Sequence, residues 1–147
     1  VQDCAALVHE RGMVNVLVTN GIIGEASWRE LLPLIDAANI DLKGFTSEWY
    51  RRLGGDLETV KGSISLAAEQ CHVEVTTLLI PGENDSEEEI RALAQWLSSV
   101  NPEIPLHLSR FFPRYRMIDK PSTPVDRVYR LADEARAYLS FVYTGNC

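Results

Sequence analysis

Apolar positions along this chain switch between the two-residue beat of a strand and the roughly 3.6-residue beat of a helix. Met13 to Thr19 is a run rich in β-branched residues and predicts a first strand, after which Trp28, Leu31, Leu32 and Ile35 recur on one helical face. Ala38 to Leu42 predicts the next strand. Thr46 or Ser47 then caps a short helix, and Asp56 opens another with Leu57, Val60, Ile64 and Ala67 or Ala68 as its stripe. His72 to Ile80 is a third strand. Beyond Pro81-Gly82, Ser86 and Glu89 form a capping box with Glu87 and Glu88 in the first turn, and Ile90, Leu93, Ala94 and Leu97 form the buried stripe. Leu106 to Arg110 and Ser140 to Tyr143 predict the last two strands, separated by a helix that Thr123-Pro124 starts with Pro at its first position. Cys4 to Gly12 reads as the last turns of a helix closed by a glycine cap, which predicts that the chain starts within an element, as a fragment of a larger protein would.

Strands that alternate with helices imply parallel crossovers and an α/β fold. The pattern within the strands separates the α/β architectures. A doubly wound sheet, covered on both faces, reads as continuous Val, Ile and Leu. Here one face collects Asn15, Thr19, Asn39, Asp41, Lys43, Glu74, Thr76, His107 and Ser109, and the other collects Val14, Val16, Ile40, Leu42, Val73, Val75, Leu106 and Leu108. A shared polar face fits a parallel-stranded partial TIM-type (β/α) barrel around a polar ligand, present here as a single domain over residues 1–147 with about five strands. Phe111 to Ser122, a long irregular stretch after a strand end, is a place where function concentrates.

Composition narrows the class. The 147 residues are 46% hydrophobic, enough for one core, and the net charge of -7 without any Lys/Arg run argues against nucleic acid or an anionic membrane as partner. No apolar run approaches the roughly 20 residues of a membrane helix. The odd cysteines, Cys4, Cys71 and Cys147, form no disulfide framework and no zinc motif, which suits a reducing cytoplasm; Cys4 and Cys71 read as buried inert thiols.

The densest chemistry is Asn39-Ile40-Asp41-Leu42-Lys43-Gly44, where strand alternation aims an acid and a base at one place. Taken alone, Asp41 and Lys43 equally describe a structural ion pair at a strand end. His107 alone is a satisfied rim histidine, Arg110, Arg114 and Arg116 are solvated, and Glu83 to Glu89 is a capped helix start without calcium-loop spacing. A lysine at a strand end is also the seat of Schiff-base lyases, and a noncatalytic binding module is a third class.

Four stretches add specificity: Val18-Thr19-Asn20-Gly21, the Asn39 to Gly44 segment, Val73 to Ser86, and His107-Leu108-Ser109-Arg110-Phe111-Phe112-Pro113. In order and spacing they resemble the later strands of radical S-adenosylmethionine (SAM) enzymes, in particular the radical SAM member of the AmmeMemoRadiSam system, a relative of pyruvate formate-lyase activating enzyme. The resemblance runs to Tyr143-Thr144-Gly145-Asn146. It implies a partial (β/α) barrel in which a CxxxCxxC loop holds a 4Fe-4S cluster that reductively cleaves SAM to a 5'-deoxyadenosyl radical. That loop and the Gly-rich SAM segment are not in this sequence, so no residue here is assigned a catalytic or metal-binding role and this chain alone should be inactive. By resemblance, Thr19 and Asn20 lie near SAM, Asp41 and Lys43 meet its methionine and ribose end, and Thr76 and Leu78 line the adenosine. His107, Ser109 and Arg110 face the substrate, whose identity is open and whose classes include proteins. An electron donor such as flavodoxin or ferredoxin is implied too. Val18 stands where relatives place an Asp beside a cation, and Phe112 where they place a His near the adenine, so stacking replaces a hydrogen bond there.

Overall fold

A computed structural model describes residues 1–147. Five parallel strands form one sheet in sequential order: β1 (Val16–Thr19), β2 (Ala37–Asp41), β3 (His72–Leu79), β4 (Leu106–Arg110) and β5 (Val142–Gly145). A doubly wound sheet reverses its strand order; this one never does, as expected for an arc of a (β/α) barrel. Helices α1 (Gln2–Glu10), α2 (Glu25–Leu31), α3 (Ser47–Arg52), α4 (Leu57–Ala68), α5 (Glu87–Val100) and α6 (Val125–Arg136) complete the chain.

The helix caps follow from the residues that begin them. Thr46 Oγ1 accepts from the Trp49 N–H, Asp56 Oδ2 from the Thr59 N–H at 2.8 Å, and Ser86 Oγ from the Glu89 N–H, each satisfying a donor the helix cannot. At the end of α1, Gly12 takes φ +68° and its N–H reaches the His9 carbonyl, so the glycine cap is as expected. The capping box is only half formed. Glu89 does not return to Ser86 but accepts the Phe45 N–H at 2.5 Å, linking α5 to the segment after β2. Pro124 precedes α6 as its cap instead of occupying its first turn.

One face of the sheet lies beneath the helices. Ala38, Ile40, Leu42, Val73, Val75, Leu106 and Leu108 pack there against Trp28, Val60, Ile64, Ile90, Leu93, Leu97, Val128 and Leu131. Each fully buried Leu or Ile stabilises the fold by about 1.5–3 kcal/mol relative to exposure, which is why period and burial coincide. Trp28, at the centre of α2, donates Nε1–H to the Ser63 carbonyl at 2.9 Å, while Ser63 Oγ donates to the Gly21 carbonyl at 2.8 Å. These bonds tie the end of β1 to α2 and α4.

The first strand differs from its sequence reading. Pairing of Val18 with Asn39 and of Thr19 with Ile40 puts Val16 and Val18 on the open face, and turns Asn15 and Thr19 away from it. Val16 and Val18 are 66% and 74% exposed. The predicted run began three residues early, and Asn15 precedes the strand as a clamp, donating Nδ2–H to the Ala5 and Leu34 carbonyls at 3.0 and 2.9 Å. The last strand starts two residues later than predicted, because Tyr138 and Leu139 still close the turn of α6 on the Ala135 carbonyl.

Candidate active site on the open face of the sheet

Strand register sets out the open face in rows. Asn39 neighbours Glu74; Asp41, Thr76, His107 and Tyr143 form a line across four strands; Leu78, Ser109 and Gly145 form the next line toward the strand C-termini. Thr76 Oγ1 donates to Asn39 Oδ1 at 2.9 Å. His107 Nε2 lies 2.7 Å from Glu74 Oε2, His72 Nε2 lies 3.3 Å from Oε1, and the Tyr143 ring stacks on His107 with centroids 5.3 Å apart. Burial opposes ionisation of Glu74, yet the two imidazoles hold its carboxyl below the usual range. These three residues are not spaced to hold a metal ion.

Asp41 and Lys43 meet at the end of β2, Nζ to Oδ2 at 2.7 Å, with side chains 36% and 45% exposed. Such a pair contributes little to stability, about 0–1 kcal/mol, and keeps both charges available to a ligand. The half-exposed, carboxylate-paired ammonium of Lys43 contrasts with the desolvated amine that Schiff-base chemistry requires. A pocket of about 150 Å³ opens beside it, lined by Asn20, Ile22, Lys43, Tyr50 and Leu53. A larger groove of about 390 Å³ lies on the helix layer between α2 and α4 and reaches none of the predicted site residues.

Of the residues singled out by sequence, the sheet brings Asp41, Lys43, Thr76, Leu78, His107 and Ser109 to the open face or its rim, with Asn20 lining the adjacent pocket. Thr19 is not among them. Its Oγ1 accepts the Gly21 N–H at 3.2 Å and shapes the turn after β1. Arg110 shares the parity of Leu106 and Leu108; its Nε–H donates to the Thr123 carbonyl at 2.7 Å and its guanidinium lies 4.7 Å from the Phe112 ring centroid. It braces the loop after β4 and does not point with Ser109. Cys4 is exposed, not buried, and Cys71 is partly buried.

Several rim residues were invisible to strand parity. The Lys43 carbonyl accepts from Trp49 Nε1 and from Asn84 Nδ2, each at 2.8 Å, and the Lys43 N–H donates to Tyr50 Oη at 3.1 Å. Burial pushes the Tyr50 phenol up to about 12, leaving it neutral. Gly44, at φ +156°, follows with no room for a side chain: a Cβ would stand 2.6 Å from Trp49 Cδ1. Arg52 and Lys120 both reach Glu83 at 2.7 Å and hold its carboxyl below the usual range.

No family model matches this chain. An uncharacterised protein of Methanocaldococcus jannaschii is 36% identical over 98% of the chain, which spans 44% of that protein's length. A domain of a pyruvate-formate lyase-activating enzyme from Bacteroides vulgatus superposes with a TM-score of 0.82 at 19% identity, covering 98% of this chain and 88% of that one. A radical SAM methyltransferase from Sphaerobacter thermophilus superposes with a TM-score of 0.71 at 15% identity, over 93% of this chain and 43% of its own. The chain thus shares the fold of these structures, an arc of parallel strands covered by helices, and the likeness read from the sequence is matched at the level of fold.

Proposed function

We propose that residues 1–147 form the SAM-binding unit of a radical SAM enzyme, with Asp41 and Lys43 as the pair that holds the amino-acid and ribose end of SAM. What supports this reading is the Asp41–Lys43 pair itself: opposite charges 2.7 Å apart, half-exposed at a strand C-terminus of a radical SAM-type fold. SAM carries both an ammonium and a carboxylate, so a carboxylate acceptor and an ammonium donor side by side match its charges. Asn20, Thr76 and Leu78 extend the same surface toward the nucleoside, and His107 and Ser109 lie farther across it, where a substrate would be met.

The cysteines present do not suit a cluster. Cys71 precedes the central strand β3 and Cys147 follows the edge strand β5, at opposite ends of the parallel strands, and Cys4 lies on α1. We therefore assign the 4Fe-4S cluster, which supplies the electron for reductive SAM cleavage, to the remainder of a longer polypeptide, and a flavodoxin or ferredoxin to its reduction. This chain's own share is to bind and orient SAM.

Calorimetric titration of SAM into the cluster-reconstituted longer polypeptide tests the assignment. Charge-assisted hydrogen bonds contribute about 1.5–3 kcal/mol, so Asp41→Asn or Lys43→Ala should raise Kd roughly ten- to a hundredfold. Thermal stability should change by less than about 1 kcal/mol, since the pair is exposed. Wild-type affinity in both variants would remove the pair from the site.

A further inference from the structure

The backbone ladder between β2 and β3 stops short of Lys43. Its last rung is the Leu42 N–H donating to the Thr76 carbonyl at 2.9 Å. Beyond that point the carbonyls of Leu42, Lys43, Leu78 and Leu79 are served by side chains. Thr77 Oγ1 donates to Leu42 at 2.7 Å, Asn84 Nδ2 to Lys43 and to Leu78 at 2.8 and 2.9 Å, and Thr123 Oγ1 to Leu79 at 2.6 Å. Thr77, Asn84 and Thr123 are all 0–1% exposed.

Among these Asn84 has a distinct geometry. Its carboxamide has two N–H donors, and it spends one on each strand end, so it fixes their separation. Its Oδ1 accepts the Ile80 N–H at 2.7 Å, which anchors the group to its own loop. That loop is held in turn: Asp85 accepts the Gly82 N–H and pairs with Arg127 at 2.7 Å, while Glu83 takes Arg52 and Lys120. Lys43 thus receives its backbone position from α3 and from the β3–α5 loop, while the hydrogen bond of its side chain goes to Asp41.

We propose that Asn84 is a positioning residue for the SAM-facing pair, setting where Lys43 and Asp41 present their charges. The proposal rests on the assignment of that pair to SAM. The test is a double-mutant cycle on SAM affinity in the cluster-reconstituted longer polypeptide. Asn84→Asp keeps the shape and the acceptor for Ile80 but turns an oxygen toward two carbonyls. It should raise Kd for SAM about tenfold, the effect of losing one charge-assisted bond's geometry. In the Lys43→Ala background the same substitution should cost less than about twofold, because residues that act through one another are not additive. An equal factor in both backgrounds, or wild-type affinity for Asn84→Asp, overturns the proposal. Should Asn84→Asp not fold, Asn84→Ser, which withdraws both amide donors without adding a charge, enters the same cycle with the same outcomes decisive. If Lys43→Ala alone leaves SAM binding unchanged, the site assignment has failed and amide hydrogen exchange then judges the clamp. Faster exchange of the Lys43 N–H in Asn84→Asp supports it, and an unchanged rate refutes it.

Discussion

Gly44→Ala probes whether close packing at the end of β2, as opposed to glycine's freedom alone, holds the rim. The new Cβ would stand 2.6 Å from Trp49 Cδ1 and 3.1 Å from Glu89 Oε1, distances that force a ring embedded beside Ile80 and Phe111 to move. The φ of +156° adds backbone strain of about 1–3 kcal/mol, and overpacking adds about 1–3 more. A total of about 2–6 kcal/mol should lower the urea midpoint by roughly 1 M or more. Repeating the substitution in a Trp49→Leu background separates the two causes. With the ring gone, the cost should shrink to the strain and the lesser contact with Glu89 Oε1. If Gly44→Ala costs the same in both backgrounds, the clash is not the cause and the packing argument fails.

Other consequences are simpler to check. Thr77→Val keeps the shape of a fully buried side chain but strips the hydroxyl from the Leu42 carbonyl, so equilibrium unfolding should show a loss of about 1–3 kcal/mol; no loss would mean that the carbonyl finds another donor. Burial raises the Glu89 carboxyl above its ordinary value of 4.5, against the opposing Phe45 N–H bond. A raised acid favours the folded state at low pH, and that contribution is lost as pH rises through the folded value. The Glu89-dependent part of stability should therefore fall from about pH 4.5 upward and vanish from the pH profile in Glu89→Gln; a rise over that window would contradict the sign. Thiol labelling should find Cys4 and Cys147 fast and Cys71 slow, since burial raises the Cys71 thiol and shields it; three equal rates would refute that.

Where one face of a strand is covered and the other is not, alternation reads directly, and β2, β3 and β4 were legible for that reason. Val73, Val75, Leu106 and Leu108 are buried while Glu74, Thr76, His107 and Ser109 are not. The first strand defeated the same logic. Met13 to Val18 offers an apolar residue at every position but Asn15, so parity had to be guessed from that one polar residue, whose side chain is engaged outside the strand. Arg110 was placed with Ser109 by resemblance and against its own parity, which it shares with Leu106 and Leu108, and its side chain folds back onto the Thr123 carbonyl. The capping box was misread for a tertiary reason: Glu89 satisfies a part-buried N–H 44 residues away.

The candidate site shows the same division. Asp41 and Lys43 are two residues apart at the end of one strand, so local periodicity places them together. What holds them is nonlocal: Asn84 lies 41 residues from Lys43, and its role depends on two strand ends diverging beyond their last shared rung. A backbone carbonyl left without a ladder partner in a buried place must find a side-chain donor, since leaving it bare costs about 1–3 kcal/mol. The need is visible only once the strands are laid beside each other. Parallel strands whose ladder ends early thus expose functional groups at their C-termini while demanding buried amides and hydroxyls to fix the backbone. In this chain the Glu83 to Glu89 stretch, read from sequence as a capped helix start, meets that demand through Asn84 and starts α5 through Ser86.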